Sequence, residues 1–235
     1  MKKLIAILLV VSVLFAFASC SGNKTEGNIS NNNVVENNDN QENIENNDVA
    51  DNKQDIPDDL TAAFVKSYPV TNASQFEVSE TPNGIAISNY TGSDEIVVIP
   101  EEINGKPVIE IQTRAFAMCD SLKAVKLSNS IKEIGDEAFL SCGNLEVFVC
   151  GTSLESIGDI CFGACFSLKE LELNEGLKTI KTAAIPKSSI DELYIPNSVV
   201  EIDETIGNDG LKIICEAGSV AEQHAIQNGY TYEIR

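Results

Sequence analysis

Six cysteines and one histidine are the residues downstream of position 100 whose chemistry goes beyond carboxylates and amines. Cys119, Cys142 and Cys165 stand 23 residues apart. Equal spacing at that interval stacks them as a ladder, with rungs about 4.8 Å apart if successive strands pair. That separation lies within the Cα range of a disulfide, so a bridge between rungs is geometrically open. The expected arrangement is small buried thiols meeting backbone carbonyls at a turn. Cys150 and Cys161 read as core filling. Cys161-x-x-x-Cys165 lacks the second ligand pair that a zinc site needs, and His224 has no local nucleophile beside it. No G-x-S-x-G, phosphate-cradling glycine loop or H-E-x-x-H occurs. Neither an enzyme nor a cofactor or metal is expected.

Those cysteines are spaced by the repeat that organises the chain. Val108–Ser130, Ile131–Ser153 and the stretch from Leu154 are copies of one 23-residue unit, and a fixed period of that size marks a stacked solenoid. Leu122, Val125 and Leu127 recur as Leu145, Phe148 and Cys150, then as Leu168, Leu171 and Leu173. The spacing of two within each set predicts a strand with one face inward. Ile111, Ile134, Ile157 and Ile180 recur ahead of polar turns, where Asp136 and Asp159 are expected to cap short helical turns. Phe116, Phe139, Phe162 and Ile185 return an anchor to the core. The coil starting at Leu177 is one residue short, and Pro186 to Ser189 are expected to absorb the deletion in a loop.

Flanking segments read as caps. Leu60–Tyr68 predicts two helical turns stopped by Pro69, and Phe76–Val78 with Ile85–Ile87 predicts a hairpin over the first coil. After Gly218, Ser219–Ile226 predicts a capped helix ending near Gly229, and Tyr230, Tyr232 and Ile234 alternate as a last strand. The expected organisation is a signal over 1–19, a tether over 20–59, an N-terminal cap over 60–95, the solenoid over 96–215 and a C-terminal cap over 216–235.

The pattern I-x-x-I-x-x-x-A-F-x-x-C-x-x-L-x-x-L-x-L resembles the BspA-like leucine-rich repeats of bacterial surface proteins, and so do N-Y-T-G-S-D-E-I-V-V-I-P and A-G-S-V-A-E-Q-H-A. The resemblance covers residues 84–235. It implies an α/β repeat: a right-handed leucine-rich repeat solenoid with a parallel β-sheet and short helical turns. An N-terminal strand or hairpin cap and a C-terminal helix–strand cap complete it. It implies an exported or surface-anchored protein, and adhesion or protein binding only loosely, because one scaffold hosts many partners.

Composition narrows the compartment and partners. The chain carries 36 acidic against 16 basic residues, a net charge of −20, which argues against nucleic acid and anionic lipid heads. Lys2 and Lys3 precede an apolar run from Leu4 to Ala18 that is too short to span a bilayer. The end of that run, Phe17-Ala18-Ser19-Cys20, resembles a bacterial lipoprotein signal, with Cys20 lipidated as the membrane anchor. Residues 21–59 contain twelve Asn and ten acidic residues without an aromatic. They read as a disordered tether with a reach of about 35 Å or more.

Recognition is expected on the outward face of the sheet. Ile96, Ala124, Val147, Glu170 and Glu192 form one column, and Val98, Lys126, Val149, Glu172 and Tyr194 a second. Lys123, Glu146, Lys169 and Asp191 border them. The apolar members are expected to be solvent-exposed and to bind a protein or glycan at the cell surface, with the chain a monomer. The rival readings are an envelope spacer without a soluble ligand, and an accessory subunit assembling through its C-terminal cap.

Overall fold

The structure is a computed structural model that describes residues 55–185, 188–203, 206–208 and 210–235. The expectations for the signal, Cys20 and most of the tether lie outside the described residues. Elements follow in chain order: α1 (Ala62–Ser67), β1 (Phe76–Thr81), β2 (Gly84–Tyr90), β3 (Ile96–Val98), β4 (Glu102–Ile103), β5 (Lys106–Ile111), β6 (Ala124–Lys126) and β7 (Glu133–Ile134). Then come β8 (Val147–Val149), β9 (Ser156–Ile157), β10 (Glu170–Glu172), β11 (Thr179–Ile180), β12 (Glu192–Tyr194), β13 (Glu201–Ile202), β14 (Lys212–Cys215), α2 (Val220–Asn228) and β15 (Thr231–Ile234).

The repeat folds as a solenoid whose coils each contribute two strands. β3, β6, β8 and β10 pair in parallel at the expected positions, with Val97, Val125, Phe148 and Leu171 in register. The recurring isoleucines, expected only ahead of polar turns, build a second parallel ladder, β5-β7-β9-β11-β13. Strands of two residues carry too little alternation to be seen as strands. The segment Glu101–Pro107, read as an insert, holds an antiparallel pairing of β4 with β5. Asn104 and Gly105 both have positive φ there (54° and 72°), as the tightest hairpin turns require.

The turns between ladders differ from expectation. Asp136 and Asp159 cap no helix. Glu137 and Ile160, the residues that follow them, have φ of 57° and 54°, which stops a right-handed helix at its first step. Asp136 Oδ1 instead accepts from the Asp159 amide at 2.8 Å, one coil away. A side chain expected to serve its own turn ties two coils together.

Inside, Phe116, Phe139 and Phe162 stack with centroids 4.9 and 5.8 Å apart. Phe148 meets Phe139 and Phe162 edge-on at 5.0 and 4.8 Å. The β1–β2 hairpin closes one end by placing Tyr90 on Phe116 at 5.1 Å, with Phe76 alongside. At the other end Ser219 and Glu222 cap α2 reciprocally: Ser219 Oγ accepts from the Glu222 amide and Glu222 Oε2 from the Gly218 amide. Gly229, at φ 76°, ends the helix. The Tyr230 hydroxyl then donates to the Ile206 carbonyl at 2.6 Å and accepts from the Ile206 amide at 3.1 Å.

Pro186 and Lys187, expected to absorb the deletion of the short coil, lie outside the described residues, and its effect is seen in the sheet. β10 does not pair with β12; β12, β14 and β15 form a separate three-stranded parallel sheet. Removing one residue shifts the strand out of step with the coil before it, and the Ser189 amide reaches the Leu168 carbonyl at the break.

Phe139→Ala, which empties the middle of the ring stack, is expected to cost about 3–5 kcal/mol. Phe166, 67% exposed, is the control: Phe166→Ala should leave the urea midpoint nearly unchanged.

Candidate functional site

The outward columns form in the predicted register, Ile96–Ala124–Val147–Glu170 and Val98–Lys126–Val149–Glu172. Their apolar members are not exposed. Ile96, Val98, Val147 and Val149 are buried, each 3% accessible or less, because α1 and the residues before it lie across them. Leu60, Ala62 and Val65 join them and Ala124 in a hydrophobic cluster separate from the solenoid core, flanked by Ile56, Phe64 and Tyr68. Leu60–Tyr68, expected as part of a cap at the end of the solenoid, instead covers the outward face. The signal was there: Leu60, Ala62 and Val65 give this segment an apolar side with no place inside the first coil.

The acidic end of the columns holds α1 in place. The Ala62 amide, one of the unpaired donors at a helix start, donates to Glu170 Oε2 at 2.9 Å. One turn on, Lys66 pairs with Glu172. Four helical residues rise about 6 Å and two strand residues advance about 6.6 Å, so α1 runs alongside β10 in matching steps. Asp59 pairs with Lys169 at 3.3 Å, and Lys169 also holds Glu146 at 3.0 Å. The docked segment therefore begins inside the stretch assigned to the tether. Lys123 pairs with Glu95 at 2.9 Å. The hydrogen bond that Lys123 donates to Glu95, and that Lys169 donates to Glu146, raises each lysine above its ordinary pKa. Beyond Pro69 the Thr71 amide donates to the Val98 carbonyl at 2.9 Å, and Thr71 Oγ1 accepts from the Val98 amide at 3.0 Å. This closes the edge of β3.

These contacts are modest in energy. Burial of Leu60 and Val65 contributes about 1.5–3 kcal/mol each, and the half-exposed Lys66–Glu172 pair roughly 0–1 kcal/mol. A helix of six residues does not persist in water alone, so α1 is helical because it is docked.

Lys126, Glu192 and Tyr194 keep access to solvent. Tyr194 donates to Glu175 Oε1 at 2.9 Å and carries the Arg235 guanidinium 3.9 Å above its ring. Partial burial, then the bond to Glu175, pushes its pKa up. Glu192 and Glu233 clamp Lys212 at 2.9 and 2.7 Å. Between α1 and these strands lies an open depression of about 560 Å³, bordered by Asp59, Thr61, Lys169, Glu170, Asp191 and Glu192. The structure thus splits the expected face into a helix-covered apolar strip and a charged, open remainder.

The thiols behave as expected. Cys142 donates to the Phe116 carbonyl at 3.0 Å and Cys165 to the Phe139 carbonyl at 3.1 Å. No disulfide forms among the described cysteines. Burial drives the Cys150 and Cys161 pKa values up, which makes both poor nucleophiles. Among the described residues no cluster of His, Cys, Asp or Glu is arranged to hold a metal. His224 is buried in the C-terminal cap beside Asn228 and stacked on Tyr230; its environment is packing.

The sequence profile of the BspA type leucine-rich repeat region matches residues 95–208 in six copies. The leucine-rich repeat protein of T. pallidum, TpLRR, is similar at 32% identity and a TM-score of 0.57, over 62% of this chain and 71% of that one. This chain belongs to the BspA-type leucine-rich repeat family. A leucine-rich repeat protein from Bacteroides ovatus shares the fold at 23% identity and a TM-score of 0.50, covering 64% of this chain and 42% of that one. No curated protein matches. BspA-type leucine-rich repeat proteins are generally non-catalytic interaction modules. No described helix is long and apolar enough to cross a membrane.

Burial holds the His224 pKa below its ordinary 6.5. The unfolded chain therefore takes up a proton first as the pH drops. The contribution of neutral His224 is complete above pH 6.5 and is lost as the pH falls through the lower, folded-state value. Thermal unfolding followed at pH 7.5 and 5.5 should show a steeper acid loss for the native chain than for His224→Gln.

Proposed function

We propose that this protein is a non-catalytic, exported lipoprotein whose solenoid recognises a protein at the cell surface through the outward face of the β3-β6-β8-β10 sheet and the adjoining β12. One observation carries the reading: that face holds an apolar strip able to organise a helix, in a cluster of its own apart from the solenoid core. A spacer needs only polar residues there. Lys126, Glu170, Glu172, Glu192 and Tyr194 border the strip with groups that orient a partner, and rim charges of this kind set specificity more than raw affinity. Residues 1–19 act as the export signal, Cys20 as the lipid anchor and the acidic Asn-rich stretch as the tether. The strong negative charge keeps the solenoid off anionic lipid.

The test uses the full chain, immobilised and offered solubilised surface proteins and a glycan panel, beside a Lys126→Glu, Glu192→Lys, Tyr194→Ala variant that unfolds at the same temperature. Capture of a protein should fall about tenfold or more in the variant, as for loss of an anchoring contact. Equal capture would move the contact elsewhere, with the C-terminal cap first in line. Capture of glycans alone would replace the protein partner. No capture by either chain leaves the spacer.

A further inference from the structure

The structure shows what the apolar strip binds, because α1 occupies it. Its cluster is separate from the core, its helix is too short to persist undocked, and the ties of Lys66 to Glu172 and Asp59 to Lys169, beside the bond from Ala62 to Glu170, are made by solvent-accessible charges. The coils beneath are joined to one another by their own ladders and ring stack. Val98 is also held by Thr71, beyond Pro69. Release of residues 56–68 therefore leaves the edge of β3 closed.

We propose that the outward face is a helix-binding face and that α1 is its displaceable resident, opening as a unit to admit an amphipathic helix of a protein partner. This names the partner class for the site above and rests on that recognition reading. The helix it fits has the pattern of α1 and its lead-in. An aliphatic residue and a small one seat it at the start, a second aliphatic residue joins the cluster of Ile96, Val98, Val147 and Val149, and a cation stands one position later. Its positive N-terminal end and that cation face Glu170 and Glu172, so an acidic helix is refused. Docking an apolar helical side into a hydrophobic groove is a general mode of peptide recognition. A resident segment competes by mass action, lowering apparent affinity by the fraction of time the face is closed.

Hydrogen exchange on the full chain tests the opening. The Val65, Tyr68 and Ala62 amides, bonded to Thr61, Val65 and Glu170, should exchange together and about 100-fold or more faster than the Phe116 and Phe139 amides, as local unfolding does. Equal rates would make α1 part of the global fold and overturn the proposal. A labelled peptide of residues 56–68 tests the face. It should bind the Val65→Asp chain saturably and the native chain about tenfold or more weakly. The Lys66→Glu peptide should lose about tenfold and recover on a chain carrying Glu172→Lys. No binding to a Val65→Asp chain whose Phe139 amide stays protected would overturn the proposal. If Val65→Asp does not fold, Lys66→Glu in the chain serves instead, since it breaks only a surface pair: α1 exchange should accelerate while coil exchange does not, and unchanged α1 exchange would overturn it. Peptide binding supports the proposal even where no surface protein is captured, in which case only the recognition reading falls. Slow α1 exchange overturns it even where a partner is captured.

Discussion

Stacking of like on like, one coil above the next, is the constraint from which the rest of this structure follows. A 23-residue unit cannot bury its own apolar face; only a neighbour offering the same side chain at the same height can do so. The ring stack from Tyr90 through Phe162, the thiols bonded to carbonyls of the preceding coil and the Asp136 link to Asp159 are versions of that rule. Each uses a residue at one repeat position to satisfy a group at the same or a neighbouring position of an adjacent coil. The ends of the stack then need residues outside the repeat. Tyr90 supplies a ring below Phe116, while Tyr230 supplies a hydroxyl for Ile206.

The outward face obeys a different rule. Nothing in the stack dictates what points away from the core, so its columns vary from Ile and Val to Glu and Tyr. The apolar end attracts a covering segment, and the acidic end fixes that segment's direction by meeting its helix start and its lysine. Apolar burial supplies attraction without direction; the two glutamates supply direction with little net stability. Their combination explains why so short a helix has one defined pose.

What was legible in the sequence was whatever repeats. Leu122, Val125 and Leu127 with their counterparts gave the inward strand register, and Phe116, Phe139 and Phe162 the stack, because identical environments recur at a fixed interval. The Ile111 series was found as a set of positions but not as a sheet, since two-residue strands leave no alternation to read. Asp136 looked like a cap because its residue type favours caps, but the left-handed Glu137 beside it turns the chain the other way. The covered state of Ile96, Val98, Val147 and Val149 was not legible from the repeat, and its one sign lay outside it, in the apolar side that Leu60, Ala62 and Val65 form. It depends on a contact between Val65 and strands some 30 to 80 residues on, and a single sequence carries no periodic sign of such a pairing.

The missing residue in the short coil has a mechanical meaning. In a stack held by nearest neighbours, a disturbance travels only as far as each joint transmits it. Between β10 and β12 the strand ladder is interrupted, while the apolar core runs on through Leu171 and Leu193. The second ladder, β9-β11-β13, still crosses that joint, so the outward sheet alone is cut there. A disturbance of the outward face is thus passed along one ladder and the core but not along the other, and the interruption lies beside Glu170 and Glu192, where the outward surface changes from covered to open.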